Sequence, residues 1–230
     1  MMEKEKKFSS YRELFHKEFD DTYDFIDSIL EVCDKVFEIY EGQSYVGGFC
    51  TFNVSIENHL GAYIYGVVTD EKYRGRGYFK KLLDDAKRFY ASKGYDFLIT
   101  VPSNNGLFGM YKKLGFSEIL GGVISLLGEK TEIFIPNGAE FYPFDENFDH
   151  LYSLHEKNDI LIKERGFFEK SISDFEIKYI DDGYALFDNG KLIYLSCSGA
   201  KYKEKPKATL MFLNEFNVPK NILCDILLEI

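Results

Sequence analysis

The chain has 230 residues, of which 45% are hydrophobic and 17% aromatic, and a formal net charge of -10. This composition excludes a disordered or low-complexity protein, and the length allows one large domain or two small ones, since domains commonly run to roughly 100–150 residues. An acidic surface repels nucleic-acid phosphates, so we expect no nucleic-acid partner, whereas a cationic amine would be attracted.

The cysteines and the charged N-terminus indicate the compartment. The four cysteines are scattered along the chain, without a C-x-x-C pair or a histidine at metal-ligand spacing: Cys33, Cys50, Cys197 and Cys224. We expect buried thiols and no metal site. Residues 1–7 lead into no apolar signal core, and the most apolar stretch, residues 119–127, has about half the length of a membrane-spanning helix. A soluble, cytoplasmic protein with no membrane partner is predicted.

The first predicted elements are two helices and a run of strands. Apolar residues recur at helical spacing over residues 11–33, and Asp20-Asp21-Thr22 offers an N-cap for a second helix. Residues rich in β-branched and aromatic types follow, separated by turns at residues 41–44 and 58–61. They predict three strands, at residues 36–40, 45–55 and 62–68.

A strand, helix, strand unit comes next. An apolar stripe predicts a helix over Tyr78–Ser92, and Gly94 ends it. Residues 95–101 are almost continuously apolar, as expected of a buried strand parallel to residues 62–68. A short helix over residues 105–114 stops at Gly115, and Phe116 opens another strand. This order predicts a mixed α/β fold.

The chain restarts near residue 128, so we predict a first domain at residues 1–128 and a smaller α/β domain at residues 129–230. Helical patterns begin near Phe148 and Phe167, and Asp188-Asn189-Gly190 predicts a hairpin turn. A further strand at residues 208–213 and a last helix at residues 219–230 complete this half.

The turn Arg74-Gly75-Arg76-Gly77 lies between a strand and a helix. Two glycines permit backbone angles that other residues avoid, so the amides of residues 75–79 can converge at the positive end of the helix. Such a cluster of N–H groups can hold a pyrophosphate. The segment lacks the Gly-Lys-Ser/Thr of a Walker loop and the G-x-G-x-x-G of a dinucleotide site.

This segment resembles motif A of the GNAT superfamily of N-acyltransferases, R/Q-x-x-G-x-G/A, with Arg74, Gly77 and Phe79 on its marked positions. Residues 104–116 are similar to the family's motif B, and the resemblance covers residues 11–126. Phe79 stands where the family usually has glycine or alanine. Either the backbone there lies farther from the pyrophosphate, or the phenyl ring turns into the core.

The resemblance implies an N-acetyltransferase that uses acetyl-CoA. The expected donor-binding residues are Val67, Val68, Thr69, Arg74, Gly75, Arg76, Gly77, Tyr78, Phe79 and Asn104. The Val67 amide is a candidate oxyanion donor, and Asn104 is also expected to cap the following helix. Tyr111 is the expected general acid, because a phenol with a pKa of about 10 can protonate a thiolate with a pKa of about 8.5.

The general base and the amine are left open by the sequence. The strand at residues 62–68 has no carboxylate, which leaves Glu57, His59, Tyr63, Tyr65 or a chain of water molecules. The net charge favours a cationic small-molecule or peptide amine as acceptor. The second half resembles a shortened, degenerate GNAT-like unit that shapes the acceptor pocket or a homodimer. A non-catalytic acyl-CoA binder or sensor, and an interaction protein, are the alternatives.

Overall fold

The computed structural model describes residues 8–120, 133–159, 161–197, 201–202 and 207–214. The predicted restart near residue 128, the predicted last helix and Cys224 lie outside these ranges. Two compact units are present. The first unit comprises Met1–Val54, His59–Thr100 and Met211–Phe216, and the second comprises Ser55–Asn58, Val101–Leu210 and Asn217–Ile230. The domain boundary at residue 128 stays a prediction.

Two helices open the first unit, as predicted. Helix α1 spans Ser9–Phe19 and helix α2 spans Tyr23–Val32. Asp20 ends α1 in the left-handed conformation, with φ of 59°. The Thr22 side chain then caps α2 by accepting a hydrogen bond of 3.2 Å from the Phe25 amide, which satisfies one of the free N–H groups of the first turn.

The sheet of the first unit is mixed. Strand β1 (Lys35–Glu41) and strand β2 (Ser44–Ile56) form the predicted antiparallel hairpin. Strand β3 (His59–Thr69) follows β2 in the sheet order and pairs in parallel with strand β4 (Phe97–Thr100). The turn before β3 was predicted at residues 58–61, which is wrong by two residues. The chain reverses at Glu57, whose φ of 53° permits a tighter turn.

Helix α3 joins β3 to β4 and spans Tyr78–Ser92, as predicted. Its buried stripe consists of residues at helical spacing: Tyr78, Leu82, Leu83, Ala86 and Tyr90. Gly94, with φ of 79°, follows the helix. The Tyr90 hydroxyl contacts Thr51 Oγ1 at 2.5 Å and donates to Asp34 at 2.7 Å, so the helix is tied to β2 as well as packed on the sheet.

The backbone of β3 departs from the extended conformation at Gly66. Gly66 has φ of 62°, and its carbonyl accepts a hydrogen bond of 2.8 Å from the Tyr11 hydroxyl of α1. A Cβ atom at this position would lie 2.2 Å from the Phe15 ring and 2.5 Å from the Tyr11 oxygen. Only glycine fits both the backbone angle and the space, and α1 is thereby held against β3.

The second unit contains the 3-10 turn Asn105–Leu107 and short helices and strands. In chain order these are α4 (Phe108–Lys113), β5 (Ser117–Leu120), β6 (Ile133–Phe134), β7 (Phe141–Pro143), α5 (Phe148–Asn158), β8 (Leu161–Lys163), α6 (Arg165–Ile172), β9 (Glu176–Ile180), β10 (Gly183–Asp188), β11 (Lys191–Ser196), β12 (Lys201–Tyr202) and β13 (Lys207–Phe212), of which Met211 and Phe212 belong to the first unit. The predicted hairpin joins β10 to β11. Asn189 and Gly190 supply its two positive φ angles.

A buried polar network lies inside the second unit. His155 Nε2 accepts a hydrogen bond of 2.9 Å from the Lys163 amide, so the ring proton is on Nδ1, facing the Asp159 carboxylate. Asp159 also accepts hydrogen bonds from Tyr184 and Tyr194 at 2.7 Å and from Ser196 at 2.5 Å. Both ring nitrogens of His155 and both oxygens of Asp159 have partners, which is the pattern of a structural network.

No disulfide bond joins the described cysteines to one another. Cys50 is buried, as predicted, whereas Cys33 and Cys197 are partly exposed, so that expectation is wrong for these two. Within the described part of the chain, the helices are all too short or too polar to cross a membrane.

We expect Gly66→Ala to destabilise the first unit by about 2–4 kcal/mol, because it adds steric overlap with Phe15 and Tyr11 to the cost of a positive φ. Gly94→Ala is the matched control, since its φ is also positive but a Cβ atom there meets nothing within 4 Å. Urea unfolding measures both variants. Equal losses of the free energy of unfolding in the two variants would contradict the packing of α1 on Gly66.

The His155 network predicts a pH dependence of stability. Burial lowers the pKa of His155, and the hydrogen bond to Asp159 only partly offsets this. Below the ordinary histidine pKa of about 6.5 the unfolded chain therefore binds a proton that the folded chain does not. The free energy of unfolding then decreases as the pH is lowered, by up to about 1.4 kcal/mol per pH unit. His155→Gln should flatten this slope between about pH 5 and 6.5, and the exposed control His150→Gln should keep it. Denaturant unfolding across this range decides, and an unchanged slope in His155→Gln would refute the assignment.

Candidate functional site

The turn between β3 and α3 presents backbone N–H groups at the positive end of a helix. Gly75 and Gly77 have φ of 74° and 79°, and Gly77 precedes α3 without a side-chain cap. The backbone amides of residues 75–78 donate no hydrogen bond to any acceptor among the described residues. A Cβ atom at either glycine would meet nothing within 4 Å, so open space lies next to these amides. The arrangement suits a diphosphate.

The two arginines of the turn have different surroundings. Arg74 donates from its amide to the Glu71 carbonyl at 3.2 Å and from Nε to the Thr69 carbonyl at 3.0 Å, and its guanidinium pairs with Glu18 of α1. These contacts fix the turn to β3 and α1. Arg76 is exposed and its guanidinium lies 5.6 Å from the centre of the Tyr73 ring. Arg76 is therefore the more available positive charge.

The side chains of Tyr78 and Phe79 face the protein interior. The buried Tyr78 donates its hydroxyl proton to Glu41, and its ring packs edge-on against Tyr73. The Phe79 ring packs edge-on against the fully buried Phe49, with ring centres 6.1 Å apart. Of the two interpretations of Phe79, the structure supports the one in which the ring turns into the core.

The end of β3 extends beyond the strand beside it. The ladder between β3 and β4 covers Gly61–Tyr63, and Thr100 Oγ1 donates to the Ile64 carbonyl at 2.9 Å. Strand β4 ends at Thr100, whereas β3 continues to Thr69. The predicted donor-binding residues of β3 lie in this extension: Val67, Val68 and Thr69. An extended substrate arm can add to such an edge through backbone hydrogen bonds.

The other edge of this extension is held by β2. The Asp70 amide donates to the Val46 carbonyl at 2.9 Å. A Cβ atom on Gly47 would lie 2.3 Å from the Val68 carbonyl oxygen, so the two strands approach each other closely here. The extension is consequently anchored on its β2 side.

Two candidate bases are excluded by their position. Glu57 lies in the turn before β3 and His59 is its first residue, so about eight residues separate them from Val67, or roughly 26 Å along the strand. His59 Nδ1 pairs with Asp96 Oδ2 at 3.0 Å. Neither reaches the extension.

The two tyrosines of β3 belong to an aromatic cluster. Tyr63 is 2% exposed, and its ring centre lies 6.4 Å from that of Phe52 and 6.2 Å from that of Tyr65. The Tyr65 ring also packs 6.0 Å from Phe15 of α1. Both phenols are packing residues here, which favours the core interpretation over an acceptor-facing one.

A cleft of about 530 Å³ lies along α1, beside the end of β3. Its lining residues come from α1, the start of β2 and the residue after β3: Ser9, Ser10, Glu13, Leu14, His16, Lys17, Tyr45 and Asp70. Two nearby side chains carry buried oxygen atoms that have no hydrogen-bond partner among the described residues, namely Glu38 Oε1 and the Tyr45 hydroxyl. Neither Glu38 nor Tyr45 was a candidate residue from the sequence. A carboxylate between the apolar residues Phe37 and Ile39 of a strand was the available signal.

The residues of motif B belong to the second unit. Asn104 precedes the 3-10 turn, and its carbonyl accepts from the Leu107 amide at 3.2 Å, but its side chain makes no capping bond. The predicted side-chain cap is wrong, because the backbone carbonyl closes this turn. Tyr111 is 4% exposed on α4, with its ring packed edge-on against Phe116 at 5.3 Å. Among the described residues, no group of three or more His, Cys, Asp or Glu is placed to hold a metal ion.

Residues 4–116 match the model of the acetyltransferase (GNAT) family. No curated protein matches the chain. The solved structures that are similar to it in fold include the following three. Eis1 from Mycobacterium abscessus has 8% identity and a TM-score of 0.64, covering 93% of this chain and 72% of its own. A GCN5-related N-acetyltransferase from Kribbella flavida has 14% identity and a TM-score of 0.63, with 91% and 70% covered.

The third is an Enterococcus faecalis protein described as a probable N-acyltransferase, with 11% identity, a TM-score of 0.62, and 91% and 71% covered. At these identities the likeness establishes the fold, and the family model establishes the family of the matched residues. The strand, glycine turn and helix that form the site lie inside the matched residues. The domain at residues 4–116 therefore belongs to the acetyltransferase (GNAT) family.

Proposed function

We propose that this protein transfers an acetyl group from acetyl-CoA to a primary amine. The observation that supports it most directly is the set of amides at residues 75–78, which have no acceptor within the described residues and face open space at the start of α3. Helix N-termini of this kind bind phosphate groups. Acetyl-CoA carries a diphosphate and a thioester, and the family transfers acyl groups.

The donor-binding roles follow the two parts of that molecule. We assign the diphosphate to the backbone of Gly75, Arg76, Gly77, Tyr78 and Phe79, with Arg74 holding the turn in shape. The pantetheine arm is assigned to the extension of β3, at Val67, Val68 and Thr69. Asn104 completes the proposed donor site.

The proposed reaction is direct attack through a tetrahedral intermediate. The neutral amine nitrogen forms a bond to the thioester carbon, and the carbonyl oxygen becomes an oxyanion that the Val67 amide stabilises by donating a hydrogen bond. The carbon–sulfur bond then breaks, and the leaving sulfur takes a proton from the Tyr111 hydroxyl. The amine loses one proton to a base in the same cycle.

We also propose an acceptor class, a role for residues 129–230 and a cellular location. The acceptor is a cationic small-molecule or peptide amine, consistent with the net charge of -10. Residues 129–230 are proposed to be a degenerate GNAT-like half that shapes the acceptor pocket or a homodimer. No metal, nucleic acid or membrane takes part in the proposed reaction, and the proposed location is the cytoplasm.

We expect Gly77→Ala to weaken CoA binding at least about tenfold, because the added methyl group enters the space beside the amides and opposes the positive φ. Gly42→Ala is the matched control, since its φ is 61° and a Cβ atom there also meets nothing within 4 Å. Isothermal titration with CoA measures both variants. Equal affinity in the two would remove the turn from the donor site.

We expect Tyr111→Phe to lower the rate of thiol release from acetyl-CoA by about 10²–10⁴-fold with a responsive amine, because the leaving sulfur loses its proton donor. Tyr142→Phe, which removes an exposed phenol, should keep the wild-type rate. An unchanged rate in Tyr111→Phe would exclude this residue as the acid.

The same assay separates the competing functions. A non-catalytic binder would be stabilised by acetyl-CoA, by about 2.7 kcal/mol at 100 times its dissociation constant, without releasing thiol with any amine. An interaction protein would show neither stabilisation nor release.

A further inference from the structure

Two unpaired polar atoms are buried in the first unit. Glu38 Oε1 and the Tyr45 hydroxyl have no hydrogen-bond partner among the described residues. Leaving such a group unpaired is unfavourable, and buried polar groups in native proteins are nearly always paired. The second unit follows this rule at Asp159, whose two oxygens accept several hydrogen bonds. The exception at Glu38 and Tyr45 therefore calls for a function.

The two side chains meet over a glycine. Glu38 of β1 pairs with Gly48 of β2 in the strand register. A Cβ atom on Gly48 would lie 2.7 Å from the Tyr45 hydroxyl, so this hydroxyl occupies the space that a side chain would take. Burial and then the charge of Glu38 raise the pKa of Tyr45, consistent with their proximity.

Tyr45, one member of this pair, lies at the cleft beside the end of β3. The Tyr45 side chain lines the cleft along α1, together with Asp70, which directly follows β3. The Asp70 amide bonds to the carbonyl of Val46, the neighbour of Tyr45. Tyr45 thus lines the cleft at the point where β2 bonds to the residue after β3, the strand to which the thioester arm is assigned.

We propose that Glu38 accepts the proton of the acceptor ammonium group, with the Tyr45 hydroxyl as the relay from the cleft. This inference rests on the proposed acetyl transfer. One proton leaves the ammonium nitrogen for the Tyr45 oxygen as the Tyr45 proton passes to the Glu38 carboxylate, so the products are a neutral amine, an unchanged phenol and a neutral carboxyl group. No electrons are transferred. In ligand-free enzymes the contacts of such a relay commonly tighten only when substrate binds.

The surroundings suit a proton acceptor. Burial raises the pKa of Glu38, so its carboxylate holds a proton more strongly than an exposed one and is closer to the neutral range in which bases act efficiently. The other titratable or charged groups around the pair and the cleft come from β1, α1 and the end of β3: Tyr40, Tyr11, Glu13, His16, Lys17 and Asp70. His16 is the histidine among these groups.

The test is the pH profile of kcat/KM for thiol release in Glu38→Gln. The wild-type rate should fall on the acid side as Glu38 becomes protonated. The variant should lose this acid limb and at least about 100-fold of the rate, without losing free energy of unfolding, because an unpaired buried charge has been removed. A structural role for Glu38 predicts the opposite, a less stable variant that keeps the acid limb, and that result would overturn the proposal.

His16→Gln and Tyr45→Phe complete the experiment. His16→Gln should keep the acid limb, and loss of the limb in this variant would assign it to His16 instead. Tyr45→Phe should lower kcat/KM as Glu38→Gln does, and it remains informative should Glu38→Gln fail to fold. A wild-type rate in Tyr45→Phe would contradict the relay. Thiol release by the wild type distinguishes failure of the proposed acetyl transfer from failure of the role of Glu38. If the wild type releases no thiol, acetyl transfer itself is refuted. If it does and the pH profile of Glu38→Gln is unaltered, only the role of Glu38 is refuted.

Discussion

The hydrogen bond from the Tyr11 hydroxyl to the Gly66 carbonyl organises the first unit. It holds helix α1 against a strand whose regular course is interrupted at a residue with positive φ. The cleft depends on this contact, because the contact fixes the position of α1, which supplies most of the lining residues. Tyr11 is itself fully buried, so its hydroxyl needs the partner that Gly66 provides.

Hydrogen-bond satisfaction separates structural from functional features in this chain. In the second unit, His155 and Asp159 have partners for all their polar atoms, and such a network specifies one arrangement of its core. In the first unit, the amides of residues 75–78, Glu38 and Tyr45 have polar atoms without acceptors or donors among the described residues. Acetyl transfer from acetyl-CoA requires hydrogen-bond donors for the diphosphate and a proton acceptor for the ammonium group. We assign the first role to the amides of residues 75–78 and the second to Glu38 with Tyr45.

The sequence predicted the local elements well because local signals set them. The amphipathic stripe with glycines at both ends placed α3 at Tyr78–Ser92, and the residues Asn189 and Gly190 placed the second hairpin. These features depend on neighbours a few residues away. The glycine turn and the family of residues 4–116 were likewise accessible, since motif and context lie within one strand, turn and helix.

Long-range partners were not predictable from the sequence. The ion pair between Arg74 and Glu18 joins residues far apart in the chain. The inward turn of Phe79 in α3 depends on Phe49 in β2. Glu38 and Tyr45 become neighbours only through the register of β1 on β2. The side-chain cap expected of Asn104 failed because a backbone carbonyl closes the same turn.

The amides at the start of α3 can be observed directly by titrating CoA into the uniformly ¹⁵N-labelled protein. We expect the backbone amide resonances of residues 75–78 to shift strongly and in proportion to bound CoA, because these N–H groups gain phosphate acceptors. Saturable binding that leaves these resonances unchanged would contradict it, because the diphosphate would then be held elsewhere.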